Sequence, residues 1–272
     1  MSGIKDYTTV GGWGLTEKLR GSDASGMLST CKRLDNNTWE LNGNKRWIGN
    51  ANRDMMVVFA RNVDTKKING FILKLDDNTP GLKRELIQRK MALRGVHNMQ
   101  LYFDKVKIPE SMRLEKVKDF KDVADMLAHS RQYVGWLAVA IGVGIYDHVI
   151  RYVREREQFG KPLAKYQLIQ EKLVKIMGNV QACLHLMAKI TELYEQGKST
   201  IGKFAMAKSW VTLKIREAAA LGREILGGNG IILDNYVMKA FIDIEAIYTY
   251  EGTYDINALV AGRELTGHAA FK

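Results

Sequence analysis

The segment Tyr248–Asp255 combines the carboxylates of Glu251 and Asp255, three tyrosines and a glycine, a set of residue types suited to acid–base chemistry. Glu251 lies between aromatic residues, and apolar surroundings favour proton uptake by a carboxylate, as a general base requires. The helix N-terminus expected near Thr253 acts in the opposite direction, because it stabilises negative charge. Gly252 allows a ligand to approach the backbone closely. A general base and a helix-capping or structural glutamate are therefore both open interpretations of Glu251.

Three further segments could bind a cofactor or a phosphate. The small and hydroxylated residues of Leu15–Asp23 could offer backbone N–H groups, although an ordinary loop has the same composition. Trp47, at the end of a predicted strand, could stack on a planar cofactor, whereas composition alone favours a core tryptophan. Arg156, within Arg154–Pro162, could bind a pyrophosphate at two points, or it could belong to a solvated helix end.

Composition limits the classes of protein to which the chain can belong. Its 272 residues, 46% of them hydrophobic, are enough for a large core and for more than one domain. Cys31 and Cys183 lie far apart and are predicted to be buried thiols in a reducing compartment. Neither the cysteines nor the five histidines have metal-ligand spacing, so we expect no metal site. No apolar run approaches the roughly 18 residues that a membrane span needs.

The net charge of +11 could attract an anionic partner such as nucleic acid, an acidic protein or a phosphorylated cofactor. The lysines and arginines are scattered, however, and no basic run is interleaved with aromatic residues. This distribution favours a solvated surface over nucleic-acid binding, and we expect no nucleic-acid partner.

The elements that must position these segments change in type near residue 112. Before it, short apolar runs alternate with turns, and Asn42-Gly43-Asn44 between two such runs predicts a hairpin. After it, apolar residues recur at helical spacing over residues 120–154, 163–195 and 202–226, and a fourth helix is expected from Thr253. The sequence therefore predicts an α+β fold: an antiparallel β barrel or sandwich over residues 1–112, then an antiparallel four-helix bundle over residues 113–272.

Five motifs, taken together, resemble one family. They are Leu-Thr-Glu with Gly-Ser-Asp, Lys-Arg-Trp-Ile, Arg-Glu-Gln-Phe-Gly, Leu-Gly-Gly-Asn-Gly and Tyr-Glu-Gly-Thr. In this order and spacing they resemble the middle and C-terminal domains of the acyl-CoA dehydrogenase/oxidase superfamily, over essentially the whole chain. The segments Gly252–Ile256 and Gly262–Gly267 are most similar to glutaryl-CoA dehydrogenase and to the plant short-chain acyl-CoA oxidase. The resemblance begins inside the β domain, so we expect the family's N-terminal helical domain to be absent.

The resemblance implies a role for each matching position. Glu251 would be the base that removes the α-proton of an acyl thioester. The positions that would contact FAD are Leu15, Thr16, Gly21, Ser22, Trp47, Ile48, Arg156, Phe159, Gln170, Glu224, Leu226, Gly227, Gly228 and Thr253. The positions that would contact the acyl-CoA are Ser22, Arg131 and Gly252.

The implied activity is FAD-dependent α,β-dehydrogenation of a short or medium acyl-CoA to a 2-enoyl-CoA, with the β-hydrogen leaving as hydride to flavin N5. Electron-transfer flavoprotein or oxygen would be the acceptor. The family further implies a homo-oligomer, a dimer of dimers or a larger assembly, in which Arg156, Phe159 and Gln170 contact the FAD of a neighbouring subunit. It also implies a mitochondrial matrix or peroxisomal location, although no targeting signal is visible.

Two residues depart from the family pattern. Lys18 follows Leu-Thr-Glu where the family has a proline, so a basic loop replaces a tight turn. Gly49 stands where the dehydrogenases have a threonine whose hydroxyl reaches flavin N5. The plant oxidase resembles this chain in having a glycine at this position, which favours an oxidase. The missing domain and the altered loop leave a second function open, a structural or assembly subunit that reuses the fold without catalysis.

Overall fold

The computed structural model describes residues 2–76 and 78–270. Compactness divides the chain into two units, Met1–Lys90 with Arg94–Ala124, and Met91–Leu93 with Asp125–Lys272. This division places residues 113–124 with the strands, whereas the sequence prediction assigned them to the helical part.

The first unit contains a short helix and a seven-stranded sheet. Its elements are α1 (Ser2–Lys5), β1 (Gly11–Gly14), β2 (Thr30–Arg33), β3 (Thr38–Gly49), β4 (Met55–Asn62), β5 (Ile68–Lys74), β6 (Leu82–Leu86) and β7 (Asn98–Pro109). The strand order is β1-β4-β2-β3-β7-β6, with β5 also paired to β4. The second unit contains most of α2 (Phe120–Glu155), a hairpin of β8 (Glu157–Gln158) and β9 (Lys161–Pro162), α3 (Gln167–Glu195), α4 (Ile201–Ile225), α5 (Tyr236–Thr249) and α6 (Tyr254–Thr266).

The mixed α+β class is confirmed, but the expected purely antiparallel sheet is wrong. Strand β4 pairs in parallel with both β1 and β2, while the β2·β3, β3·β7, β4·β5 and β6·β7 pairs are antiparallel. Parallel neighbours need a crossover connection, which sequence spacing between short strands does not reveal.

The hairpin predicted at Asn42-Gly43-Asn44 is also wrong, because β3 runs without a turn from Thr38 to Gly49. Gly43, at φ 130°, lies at a register shift between β3 and β7, which is a β-bulge. A bulge and a turn both need a residue that tolerates positive φ, so the same glycine signal is compatible with either.

The four predicted helices are present within a few residues of their expected bounds, but α5 was not predicted. Its buried residues include Val237, Ala240, Ile244 and Ile247, and Phe241 packs against the same core. Helix α5 has 14 residues and no side-chain hydrogen bond at its N-cap, so neither a long apolar period nor a start signal marks it in the sequence. The expected four-helix bundle is therefore a set of five longer helices.

Helix α4 lies at the centre of the second unit and contacts α3, α5 and α6. Its residues Phe204, Val211, Ile215 and Ala218 are all buried. A helix enclosed in this way must bury any polar residue on its inner faces, and Lys208 is such a residue, with no exposed surface.

Helix α2 is, by length and composition alone, apolar enough to cross a membrane, and 39% of its most apolar 18-residue window is buried. A core helix passes the same test. Val134, Ala138 and Ile145 of α2 pack in the hydrophobic core with residues of α3 and α4, so core packing explains much of its apolar composition.

A buried ion pair joins the Leu15–Ser29 segment to β3. The Lys45 ammonium lies 2.9 Å from Oε1 of Glu17, and both side chains are almost fully enclosed. Lys45 also donates to the Leu15 carbonyl, while the Glu17 carboxylate accepts from the N–H groups of Leu28 and Ser29. Burial lowers the pKa of Lys45 to about 8, partly offset by Glu17. Burial alone would raise the pKa of Glu17, but Lys45 and these hydrogen bonds outweigh it and lower the pKa.

We expect Glu17→Ala to lower the free energy of unfolding by about 3–5 kcal/mol, because it leaves the Lys45 charge buried without a partner. The change should appear as a lower midpoint of guanidinium unfolding, followed by tryptophan fluorescence. Glu85→Ala is the matched control, since its ion pair with Lys83 is exposed and should contribute little. Equal midpoints for the two variants would contradict this account of the ion pair.

Candidate functional site

Glu251 lies in the turn between α5 and α6, where the backbone departs from the helical conformation. Two consecutive residues have left-handed backbone angles, Glu251 at φ 56° and Gly252 at φ 86°. A Cβ on Gly252 would lie 2.9 Å from Nδ2 of Asn257, so this position requires glycine for space as well as for conformation. Thr253 then begins α6 as its N-cap, where its hydroxyl accepts a hydrogen bond from the N–H of Ile256.

The Glu251 side chain is half-buried against α2. Ser130 Oγ lies 2.5 Å from Glu251 Oε2 and donates to it, or alternatively to the Leu127 carbonyl at 2.9 Å. The neighbouring Arg131, 8% exposed, reaches the Glu251 backbone carbonyl with Nε at 3.4 Å. Burial lowers the pKa of Arg131, and the Glu251 charge partly offsets that effect. Burial, together with the same negative charge, raises the pKa of the Tyr250 phenol to about 12.

A buried cation lies on the other side of this turn. Lys208 of α4 donates from Nζ to the carbonyls of Tyr248 at 2.9 Å and Gly252 at 2.8 Å. Burial lowers the pKa of Lys208 to about 8; the Glu251 carboxylate raises it and Arg131 lowers it further. Glu251 therefore lies in the field of two buried positive side chains.

This arrangement can accept a proton from a bound molecule. The Glu251 carboxylate has one hydroxyl donor at one oxygen and remains half-exposed, so it retains lone pairs for a further proton. Of the residues assigned to catalysis and substrate binding, the structure brings together Glu251, Gly252 and Arg131, and Thr253 adjoins them as a helix cap.

The predicted cofactor residues of the first unit lie at two adjoining segments. The Thr16 carbonyl accepts from the N–H of Arg46 at 2.8 Å, which places the Leu15–Thr16 backbone beside the end of β3. Trp47 has φ 68° at a second bulge of β3 and is half-exposed, so it is not a core tryptophan. Leu15 and Ile48 instead bury their side chains; the Leu15 carbonyl accepts from Lys45, and Ile48 pairs with Met99 of β7. The other two positions, Gly21 and Ser22, are exposed.

The predicted cofactor residues of the second unit form two further groups. The first follows α2: Arg156, Phe159 and Gln170 are all exposed, and Phe159 is 95% exposed at the tip of the β8–β9 hairpin. The second is the end of α4, comprising Glu224, the buried Leu226, Gly227 and Gly228.

The ends of α2 and α4 are joined through Tyr152. Its hydroxyl donates to the Leu226 carbonyl at 3.5 Å and accepts from the Asn229 side chain at 2.9 Å. At the glycine pair a Cβ would meet no protein atom within 4 Å, so Gly227 and Gly228 face open space.

Three residues of the site were not predicted from the sequence, namely Ser130, Lys208 and Asn257. Lys208 gave a usable signal, because it shares the buried face of α4 with Phe204 and Val211, where an unpaired lysine is costly. Ser130 and Asn257 gave no such signal, since serine and asparagine are ordinary on helix surfaces. Within residues 2–76 and 78–270, no group of three or more metal-binding side chains occurs.

Two family models match the chain. "Acyl-CoA dehydrogenase, middle domain" matches residues 12–106, and "Acyl-CoA dehydrogenase, C-terminal domain" matches residues 120–266. The short-chain specific acyl-CoA dehydrogenase of Megasphaera elsdenii is 33% identical over 268 residues, which cover 96% of this chain and 69% of that protein.

Solved structures of the same kind of protein are also similar to this chain. Glutaryl-CoA dehydrogenase from Mycobacterium smegmatis in complex with FADH2 has a TM-score of 0.94 at 31% identity, and the match covers 99% of this chain and 69% of that one. A chain from a structure of the electron transferring flavoprotein of Acidaminococcus fermentans has a TM-score of 0.92 at 29% identity, covering 98% and 71%. With both domain models matched in order along its length, the chain belongs to the acyl-CoA dehydrogenase family.

Proposed function

We propose that this protein takes part in FAD-dependent α,β-dehydrogenation of an acyl-CoA thioester, with Glu251 as the catalytic base. The observation that carries the proposal is the Glu251 carboxylate itself. It is half-buried on a left-handed turn, beside two buried cations, and keeps free lone pairs. Strained backbone conformations persist only where the surrounding structure holds them, and they are common at functional sites.

The role of Glu251 is to take the α-proton of the thioester. That proton is acidic only when the developing enolate is stabilised, which hydrogen-bond donors at the thioester carbonyl would do. The negative charge of Glu251 acts on both neighbouring cations and opposes the lowering of the pKa of Arg131 and of Lys208 by burial. Arg131, Gly252 and Ser22 are the residues proposed to lie along the acyl-CoA.

The residues proposed to hold FAD fit such a group in three respects. Gly21, Gly227 and Gly228 face open space in which a phosphate could approach the backbone. Trp47 and Phe159 present aromatic surface outside the core, suited to stacking on a planar ring. Arg156 offers a guanidinium that matches phosphate oxygens, and Thr16 and Ile48 lie near Trp47.

When bound, FAD would accept the β-hydrogen of the substrate as hydride at N5. The relative from Mycobacterium smegmatis was solved with FADH2, which supports this choice of cofactor. Of the remaining proposed contacts, Leu15, Gln170, Glu224 and Leu226 border these segments, and Thr253 adjoins the Glu251 turn as the N-cap of α6.

Partners follow from the same proposal. Phe159 and Arg156 project from the second unit with little protein contact, which a neighbouring subunit's cofactor would explain, so we propose a homo-oligomer. Electron-transfer flavoprotein is the proposed acceptor, supported by the similar chain from the Acidaminococcus fermentans structure. A mitochondrial matrix or peroxisomal location remains part of the proposal.

Glu251→Gln should retain FAD but slow substrate bleaching of the flavin absorbance by about 10²–10⁴-fold, the usual contribution of a general base. The measurement is single-turnover absorbance with butyryl-CoA. Glu245→Gln is the matched control, because Glu245 lies near the end of α5 and pairs with Arg216 instead. Undiminished bleaching in Glu251→Gln would assign the base to another residue. A wild-type protein that binds no FAD would favour a non-catalytic assembly subunit.

A second measurement distinguishes electron-transfer flavoprotein from oxygen as the electron acceptor. With butyryl-CoA and no added acceptor, a dehydrogenase should form little hydrogen peroxide and should turn over once electron-transfer flavoprotein is added. Steady peroxide production, stoichiometric with enoyl-CoA, would instead show an oxidase, as Gly49 favours. Gly49→Thr is the informative variant, since a gain in flavoprotein-dependent turnover would assign the difference to that position.

A further inference from the structure

Lys208 binds the main chain on both sides of the Glu251 turn. It reaches from α4 with a side chain that has no exposed surface and donates to the carbonyls of Tyr248 and Gly252. The Tyr248 carbonyl lies in the last turn of α5, where backbone acceptors have no helical partner and a positive charge is favourable. One ammonium group therefore caps α5 and holds the left-handed turn that follows it.

Asn257 binds the same turn from the opposite helix. It is fully buried on α6, and its Nδ2 lies 2.8 Å from the Gly252 carbonyl, 3.1 Å from that of Thr253 and 3.3 Å from that of Glu251. Its Oδ1 has no hydrogen-bond partner within the described part of the chain. An unsatisfied buried acceptor costs about 1–3 kcal/mol. The orientation of the Asn257 amide therefore serves the hydrogen bonds of its N–H groups and not those of its oxygen.

The two side chains meet at one atom. The Gly252 carbonyl oxygen accepts from both Lys208 of α4 and Asn257 of α6. Four carbonyls in the Tyr248–Thr253 segment are thereby held by donors from outside it. The φ of Glu251 is thus fixed from two directions.

We infer that Lys208 and Asn257 are positioning residues for the base, holding the Tyr248–Thr253 main chain so that the Glu251 carboxylate meets the acidic carbon of a bound thioester. The inference rests on the proposed role of Glu251. Both residues act through main-chain oxygens, so neither is a catalytic residue. A displacement of 1 Å at a reacting group can cost about 10²-fold in rate, which is why such a turn needs external support.

Fold stability alone does not explain this choice of residues. Lys208 lies on the same face of α4 as Phe204 and Val211, and an apolar side chain there would avoid the cost of burying an ammonium group. Such a side chain would leave the carbonyls of Tyr248 and Gly252 with fewer donors.

The test uses Asn257→Leu, which keeps the volume but removes the donors, and Lys208→Met as a second variant. Lys214→Met is the matched lysine control, because Lys214 lies on α4 in an ion pair with Glu217. Ile215→Ala controls for general loss of stability, since Ile215 is fully buried in the core of α4. The two control variants, Lys214→Met and Ile215→Ala, leave the hydrogen bonds of the Glu251 turn intact.

The first readout is hydrogen exchange of peptides spanning residues 248–254 in the full chain without substrate. Asn257→Leu and Lys208→Met should increase exchange there by about tenfold or more relative to the rest of the protein, and the two controls should not. The second readout is the bleaching rate with butyryl-CoA. It should fall by about 10–100-fold at saturating substrate, with FAD content and half-saturating concentration unchanged.

Wild-type exchange and wild-type bleaching in Asn257→Leu would overturn the inference. Slowing no greater than in Ile215→Ala would also overturn it, because the effect would then be general destabilisation. If the wild-type protein binds FAD but no acyl-CoA bleaches it, the proposed function fails, and exchange at residues 248–254 alone then decides whether the two side chains hold this turn.

Discussion

The position of the candidate base depends on a backbone conformation that glutamate does not favour. Left-handed φ costs a residue with a Cβ about 1–2 kcal/mol, and Glu251 adopts it directly before Gly252, which adopts it without that cost. Such a turn persists only where its surroundings determine it. Here α6 begins at once with the Thr253 cap, while Lys208 completes the end of α5.

Two lysines in the described part of the chain are fully buried, and they show what burial of a charge requires. Lys45 has a carboxylate partner in direct contact, and Glu17 in turn is satisfied by backbone N–H groups. Lys208 has carbonyl oxygens only, and its nearest opposite charge acts through space from Glu251. Lys45 fixes the Leu15–Ser29 segment to β3, whereas Lys208 interacts electrostatically with Glu251 of the candidate site.

Sequence reasoning predicted the local features of this fold better than the long-range ones. Helices α2, α3 and α4 have 36, 29 and 25 residues, so their apolar period repeats many times, and they were placed within a few residues. Helix α5 was missed; it has 14 residues and no side-chain hydrogen bond at its N-cap. The parallel partners of β4 and the bulge at Gly43 depend on contacts between distant segments, to which a local pattern is insensitive.

The same limit applies to the candidate site. Glu251, Gly252 and Thr253 adjoin in sequence, so their motif could be read directly. Ser130, Lys208 and Asn257 come from three other positions along the chain and reach the turn only through helix packing. The motif therefore indicated the proposed base, whereas Ser130, Lys208 and Asn257 could be found only in the structure.

The distribution of positive charge around Glu251 favours a base over a structural ion pair. Both nearby cations direct their hydrogen bonds to main-chain oxygens, Arg131 to the carbonyl of Glu251 itself and Lys208 to that of Gly252. The carboxylate receives a hydroxyl donor from Ser130 instead. A contact ion pair would hold the carboxylate in its charged form and oppose proton uptake, as it does at Glu17. At Glu251 both cations instead contact main-chain oxygens, so within the described residues its carboxylate oxygens have no contact ion pair.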